Sequence, residues 1–193
     1  MTTFAVVAGA VGGALSPVVI IILGFANLLA DGFSMAVSNY QGTKSRGEGV
    51  ETARRDELRQ IREDPEEERD EIRAIFRQKG FEGSVLDQIV EVITSDEKLW
   101  VETMITEELG LQTDGPDPLK AGAATFFAFL GVGIMPLLPY VFAEVIPFPP
   151  FAASIALTGA AFFSVGTAKG VVVGRRAWQA GMETLLMGGG AAT

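Results

Sequence analysis

The sequence predicts an all-α integral membrane protein. It reads as a five-span helical bundle, first and last spans incomplete, with a cytoplasmic helical insertion of about four short helices between spans two and three. Three observations carry this. Mean hydropathy is +0.32 although 20% of residues are charged, a pairing that a uniform globular chain rarely shows. The charge is segregated: residues 41–120 hold 12 Lys+Arg and 21 Asp+Glu, the whole net −9, while the rest of the 193-residue chain holds three of each sign. Apolar stretches flank that block on both sides, as membrane segments flank a soluble insertion.

The elements follow in order. Residues 2–15 are apolar and small, but shorter than the roughly 20 residues a span needs. Ser16-Pro17 reads as a turn and a helix start. Residues 17–40 form a second apolar segment, interrupted by Asn27, Asp31 and Asn39. The third covers 120–143, with Pro136 and Pro139 near its end, and residues 144–150 (EVIPFPP) form a rigid turn. Residues 151–172 make a fourth segment, Gly174-Arg175-Arg176 punctuates, and 177–193 begin a fifth that stops early. The resulting boundaries are 1–40 for spans one and two, 41–117 for the insertion, and 118–193 for spans three to five. Lys44, Arg46, Lys120, Lys169, Arg175 and Arg176 place the insertion and the 169–176 turn in the cytoplasm by the positive-inside rule. Five spans then put the N-terminus inside and the C-terminus outside.

Within the acidic block, residues 50–63 read as a helix. Asp64-Pro65-Glu66-Glu67 starts another, with an N-cap, Pro at N1 and an acidic N3, and Gly80 ends it. Ser84-x-x-Asp87 and Thr94-x-x-Glu97 are capping-box patterns for two more, the last ending at Gly110. The apolar stripes are thin, so the block is expected to need a partner surface, a metal or a second copy.

The chain has no Cys and no His. Thiol nucleophiles, Cys/His zinc sites and a Ser-His-Asp triad are excluded, and no enzyme is expected. Any metal site must use carboxylates, carbonyls, hydroxyls, amides or Met sulfur. The net −9 argues against a nucleic-acid partner. Two constellations remain. Asn27, Asp31 and Met35, at i, i+4 and i+8, stack on one face of the second segment. An Asp within a span is a functional candidate for cation binding or proton transfer, and Met35 favours a transition metal; the plainer reading is interhelical packing. In the acidic block, Glu57 and Gln60, Glu68 and Glu71, and Met104 and Glu108 each share a helix face. Spacing leaves two readings open: a carboxylate metal site, or solvated faces laced by Arg59, Arg62, Arg69 and Arg73. A soluble ferritin-type bundle loses on hydropathy and on the lack of His.

Three stretches, GFANLLADGFSMAVSNYQGTKS (24–45), ELRQIREDPEEERDEIRAIFRQKGF (57–81) and WVETMITEELGL (100–111), resemble the vacuolar iron transporter family. The resemblance covers about residues 1–190. It implies a homodimer of five-span subunits in a lipid bilayer, exporting Fe²⁺ from the cytosol against protons, with Mn²⁺, Co²⁺ or Zn²⁺ as alternative ions. It implies a metal-gathering insertion that uses Glu57, Glu68, Glu71, Met104 and Glu108, with Gln60 where the family usually has Glu and Ile105 where a second Met is common. It places Asp31 and Met35 on the transport path at the dimer interface, with Asn27 at a position acidic in some relatives. The family's Asn-Asp-Gly stretch, expected before residue 2, is not in the sequence, so the chain reads as shorter than a whole member at both ends. A membrane-anchored metal buffer or sensor is the alternative function. With no sorting signal read, the expected location is a prokaryotic cytoplasmic membrane.

Overall fold

A computed structural model describes residues 2–190. Every regular element among the described residues is an α-helix: α1 (Thr2–Gly12), α2 (Pro17–Glu63), α3 (Pro65–Gln78), α4 (Gly83–Thr94), α5 (Glu97–Glu107), α6 (Pro118–Gly133), α7 (Leu138–Val141), α8 (Pro150–Val172) and α9 (Ala177–Gly190). The chain divides into two compact units: Asn39–Ala121, and the described residues up to Ser38 together with those from Gly122.

The apolar unit holds two stretches of helix, in α2 and α8, that are long and apolar enough to cross a membrane; α1 and α6 are apolar but shorter. The helix expected across 120–143 is broken. Pro136 brings no N–H and Pro139 sits in the first turn of the four-residue α7, so regular α-helix ends at Gly133 and resumes only at Leu138. The core is small: Val7, Ala10, Ile20, Leu28, Leu137 and Tyr140. Helices approach closely because glycines leave room. A Cβ on Gly166 of α8 would lie 2.5 Å from the Ala180 carbonyl oxygen of α9, and one on Gly24 would lie 2.2 Å from a Leu137 methyl. Such contacts drive helix association where lipid removes the hydrophobic difference. Not every glycine of this unit serves packing: Gly9, Gly12 and Gly131 have no neighbour at the Cβ position, whereas Gly166 and Gly170 are in tight contact.

The charged unit contains the sequence boundary 41–117. The helix expected over 50–63 is the last part of α2, which continues without a break from Pro17. α3 starts as the sequence indicates: Asp64 accepts from the Glu67 N–H at 3.3 Å, with Pro65 at N1. It ends in a Schellman motif, with the Gly80 N–H on the Arg77 carbonyl at 3.0 Å, the Phe81 N–H on the Phe76 carbonyl at 3.2 Å, and the two rings in contact. Gly80 takes φ +93°, which a side chain would resist. The two capping-box patterns form otherwise than expected. α4 begins at Gly83 without a side-chain cap, and Asp96, not Thr94, caps α5 by accepting from the N–H groups of Lys98 and Leu99. The thin stripes nevertheless meet in one core of Ile61, Ile72, Leu86, Val90, Ile93, Trp100, Val101, Met104 and Ile105. Arg62 clamps Glu97 with two hydrogen bonds of 2.8 and 3.2 Å, Arg54 reaches Glu102 at 3.5 Å, and Lys79 pairs with Glu107, tying α2 and α3 to α5.

Candidate metal centre

The charged unit sorts its carboxylates into two sets. Arg55 and Arg54 take Glu51, Arg59 takes Asp56, Arg69 takes Glu66, and Arg73 takes Asp70 and Asp87. With the pairs to Glu97, Glu102 and Glu107, these engage most of the block's cations. Among the described residues Glu57, Glu68, Glu71 and Glu108 take part in none of these ion pairs; neither do several exposed acids such as Glu63, Glu82 and Glu91, and what sets Glu57 and Glu68 apart is their burial. Arg59, Arg62 and Arg73 are committed to other acids.

The four candidates come from three places. Glu57 comes from α2, Glu68 and Glu71 from α3, and Glu108 caps the C-terminal end of α5. Each of the first three is repelled by Glu108. Burial raises the Glu57 carboxyl above its ordinary range, and the charges of Glu108, Glu71 and Asp56 raise it further. Burial, then Glu71, Glu57, Glu108 and Glu67, push Glu68 up to about 7. Glu71 is raised by burial and by Glu108 and Glu67. Glu57 and Glu68 are each only 5% exposed, and the Oε2 atom of each is buried without a hydrogen-bond partner. An unpartnered buried acceptor costs about 1–3 kcal/mol, more if charged. The arrangement therefore favours a cation or bound protons. A hard divalent ion with oxygen ligands fits this donor set.

The remaining sequence candidates are placed differently. Gln60 is exposed. Met104 is fully buried in the hydrophobic core. Among the described residues no three Asp or Glu side chains come together closely enough to hold a metal ion as placed. On α2 in the apolar unit, Asp31 is half-buried, Met35 is 48% exposed and the Asn27 amide nitrogen is buried without a partner.

Comparison with known proteins decides the family. The VIT family model matches residues 1–193. The chain belongs to the VIT family. It is 35% identical to the vacuolar iron transporter of Toxoplasma gondii over 144 residues, covering 73% of this chain and 48% of that protein. It is 33% identical to the Plasmodium falciparum vacuolar iron transporter, covering 73% and 53%. Vacuolar iron transporter 1 of Arabidopsis thaliana is 31% identical over 190 residues, covering 96% and 74%. The chain thus spans about half the length of the first two.

Two contributors went unread in the sequence of this VIT member. Glu67 repels both Glu68 and Glu71; its place in the run Glu66–Glu68 made it look like one more solvated charge. Trp100, 4% exposed, lies under the Arg69 guanidinium, whose carbon is 6.0 Å from the ring centroid. The contact keeps the cation next in sequence to Glu68 on an aromatic face. The i, i+4 spacing of Trp100 and Met104 was the available signal.

Proposed function

We propose that this chain collects divalent iron from the cytosol on Glu57, Glu68, Glu71 and Glu108 and passes it across a lipid bilayer in exchange for protons. One observation carries the reading: in a unit laced with ion pairs, burial and the repulsion of neighbouring acids raise Glu57, Glu68 and Glu71, none of them ion-paired, and two of them bury unpartnered oxygens. Oxygen donors that repel one another bind an ion readily and release it readily, which suits transfer better than storage. Met104 supplies the sulfur that disfavours Ca²⁺ and Mg²⁺; being buried, it must turn toward the ion. Gln60 is an outer, neutral donor. Fe²⁺ is the cargo, with Mn²⁺, Co²⁺ and Zn²⁺ as competing ions.

In this reading residues 41–117 lie in the cytoplasm, and 1–40 and 118–193 contribute five spans to each subunit of a homodimer. The membrane is a prokaryotic cytoplasmic membrane. Asp31, with Met35 and Asn27, receives the ion, and protonation of Asp31 releases it on the far side. The names of the curated relatives support iron as the cargo. The decisive experiment is Fe²⁺ flux into proteoliposomes under a pH gradient, read beside equilibrium metal binding. Asp31→Ala abolishes flux and leaves binding intact, whereas Glu57→Gln with Glu68→Gln weakens binding itself. Binding without flux in the unmutated protein would replace this reading with a membrane-anchored buffer or sensor. Flux retained in Asp31→Ala would sink the path assignment.

A further inference from the structure

The break after α6 sits over a small cavity of about 90 Å³, whose walls include Thr3, Phe129, Gly133, Pro136, Thr158 and Phe162. Two hydroxyls on that wall are buried and idle. Thr3 is 2% and Thr158 7% exposed, and neither Oγ1 has a hydrogen-bond partner. A helical threonine ordinarily donates to a carbonyl one turn back. Thr167 does so to Phe163 at 2.7 Å and Thr184 to Ala180 at 2.9 Å. Thr158 does not. A third polar group is freed by the break itself. The Gly133 carbonyl has lost both helical donors: Pro136 has no N–H, and the Leu137 N–H goes to the Ile134 carbonyl at 2.9 Å. A Cβ on Gly133 would lie 3.6 Å from Thr3 Oγ1, so the two residues are neighbours on the cavity wall. The Pro136 carbonyl is already served by the Ser154 hydroxyl at 2.8 Å.

We propose that this cavity is a binding site for ordered water, held by the hydroxyls of Thr3 and Thr158 and the carbonyl of Gly133. The size and the chemistry agree. A buried water typically makes about three hydrogen bonds and needs roughly 10–15 Å³ of such space; three groups are offered and the room is ample. A metal ion does not fit. No carboxylate lines the cavity, and aromatic and aliphatic groups make up most of its wall, so a divalent cation would lose its hydration with little in return. The site is distinct from the acidic cluster and from Asp31. Its role follows from the bilayer, where a broken helix must satisfy its freed backbone groups internally. Water does this while leaving the joint between α6 and α7 able to adjust.

The sign of a stability change tests the proposal on the full chain in lipid nanodiscs. If water is bound, Thr158→Val and Thr3→Val each lower Tm, by about 2–4 °C for a chain of this size. The double variant then loses less than the sum, because both hydroxyls hold the same water. Thr158→Ser keeps the hydroxyl and restores most of the loss. If the hydroxyls are idle, removing them leaves Tm unchanged or raises it, and the proposal falls. Replacing choline with Na⁺ leaves Tm unchanged for a water site; a rise in Na⁺ that Thr158→Val abolishes would overturn it in favour of a cation. Should the Val variants not fold, an experimental structure of the unmutated chain must show ordered density within hydrogen-bond reach of Thr3 and Thr158. An empty cavity there would overturn it equally.

Discussion

In the unit of residues 39–121 the core is made of large apolar side chains and most charges lie outside: Ile72, Met104 and Ile105 are fully buried while Arg62, Glu97 and Asp70 face solvent, Glu57 and Glu68 being the buried exceptions. In the other unit many large apolar groups lie on the surface instead. Val172 is 85% exposed, Leu186 70%, Phe127 69% and Phe33 65%, whereas glycines 166, 181 and 188 lie in the tight contacts between α8 and α9. Every regular element described in either unit is a helix, so the difference is one of solvent. Water rewards burial of large apolar groups. A lipid surround does not, and leaves close backbone approach as the means of holding helices together.

The sharpest way to break this comparison is to change size in opposite directions. Gly166→Val places methyl groups where a Cβ alone would already meet the Ala180 carbonyl oxygen at 2.5 Å and Thr184 Oγ1 at 2.5 Å. Two backbones would have to part, and we expect loss of monodisperse protein on size-exclusion chromatography. Gly159→Ala meets only a Leu185 methyl at 3.5 Å and is tolerated. In the charged unit the damaging change is truncation: Ile72→Ala costs about 2–5 kcal/mol by thermal or denaturant unfolding. Truncation of Val172 to Ala has little effect. An apolar unit that accepted Gly166→Val would not be packed as described.

The next effect concerns the acidic cluster, where stability and binding pull apart. Glu68 titrates at about 7 in the folded unit against an ordinary 4.5. Between those values the native state holds a proton that the unfolded chain has lost. This contribution to stability is therefore full below about pH 4.5, declines as pH rises, and is gone above about 7. Glu57 and Glu71 are displaced in the same direction. Glu68→Gln removes the dependence: the variant is more stable than the unmutated chain at pH 7.5, by order 1–3 kcal/mol, and similar to it at pH 4.5. The same substitution lowers metal affinity at least about tenfold, on the scale of losing a charged ligand. Stability curves at the two pH values, with metal titrations at pH 7.5, check both halves. A variant less stable at pH 7.5 would mean that Glu68 has a stabilising partner after all.

The legible part of the molecule was the part written in local chemistry. The Asp64-Pro65 start, the Gly80 stop and the Gly174 stop are each fixed by one or two residues, and each is realised. The displaced α5 cap shows the limit of local reading: Thr94 and Asp96 are both competent caps, and Ser95 falls between them as the C-cap of α4, which leaves Asp96 the start of α5. The continuity of α2 was hidden because its apolar and charged parts have opposite composition while neither contains a helix-breaking Pro after Pro17. At the candidate site the spacing of Glu57, Glu68, Glu71 and Glu108 was visible. Which arginines would leave them alone was not. Arg62 is on the same face arithmetic as its neighbours, yet it goes to Glu97, 35 residues away, a pairing only tertiary packing creates.

A smaller effect sharpens the link between core and cluster. Trp100 is buried under Arg69, and Trp178, in the apolar unit, is 62% exposed. With Trp178→Phe, emission reports Trp100 alone. Mn²⁺ or Fe²⁺ at the cluster should quench it saturably, while Mg²⁺ should not. Glu57→Gln with Glu68→Gln should abolish the quenching without shifting the emission maximum, because the indole stays in the same core. Quenching that survived the double substitution would place the ion elsewhere.

The smallest expected effect tests the sorting of charges itself. The Arg62–Glu97 pair is well formed, with the hydrogen bond to Arg62 holding the Glu97 carboxyl below its usual range, but both side chains are exposed, at 66% and 50%. Exposed pairs contribute little and are screened by salt. Arg62→Ala should therefore lower Tm only slightly, and the deficit should vanish at high ionic strength. Metal binding is the more telling readout. If the pair's function is to keep Arg62 away from the cluster, Arg62→Ala leaves metal affinity unchanged, because that cation was already absent from the site. Glu97→Ala frees Arg62 instead, and a released guanidinium five residues along α2 from Glu57 can swing toward the acids and compete with the metal ion. Affinity should then fall at low salt and recover as salt rises, an asymmetry between two halves of one ion pair that simple loss of stability does not produce.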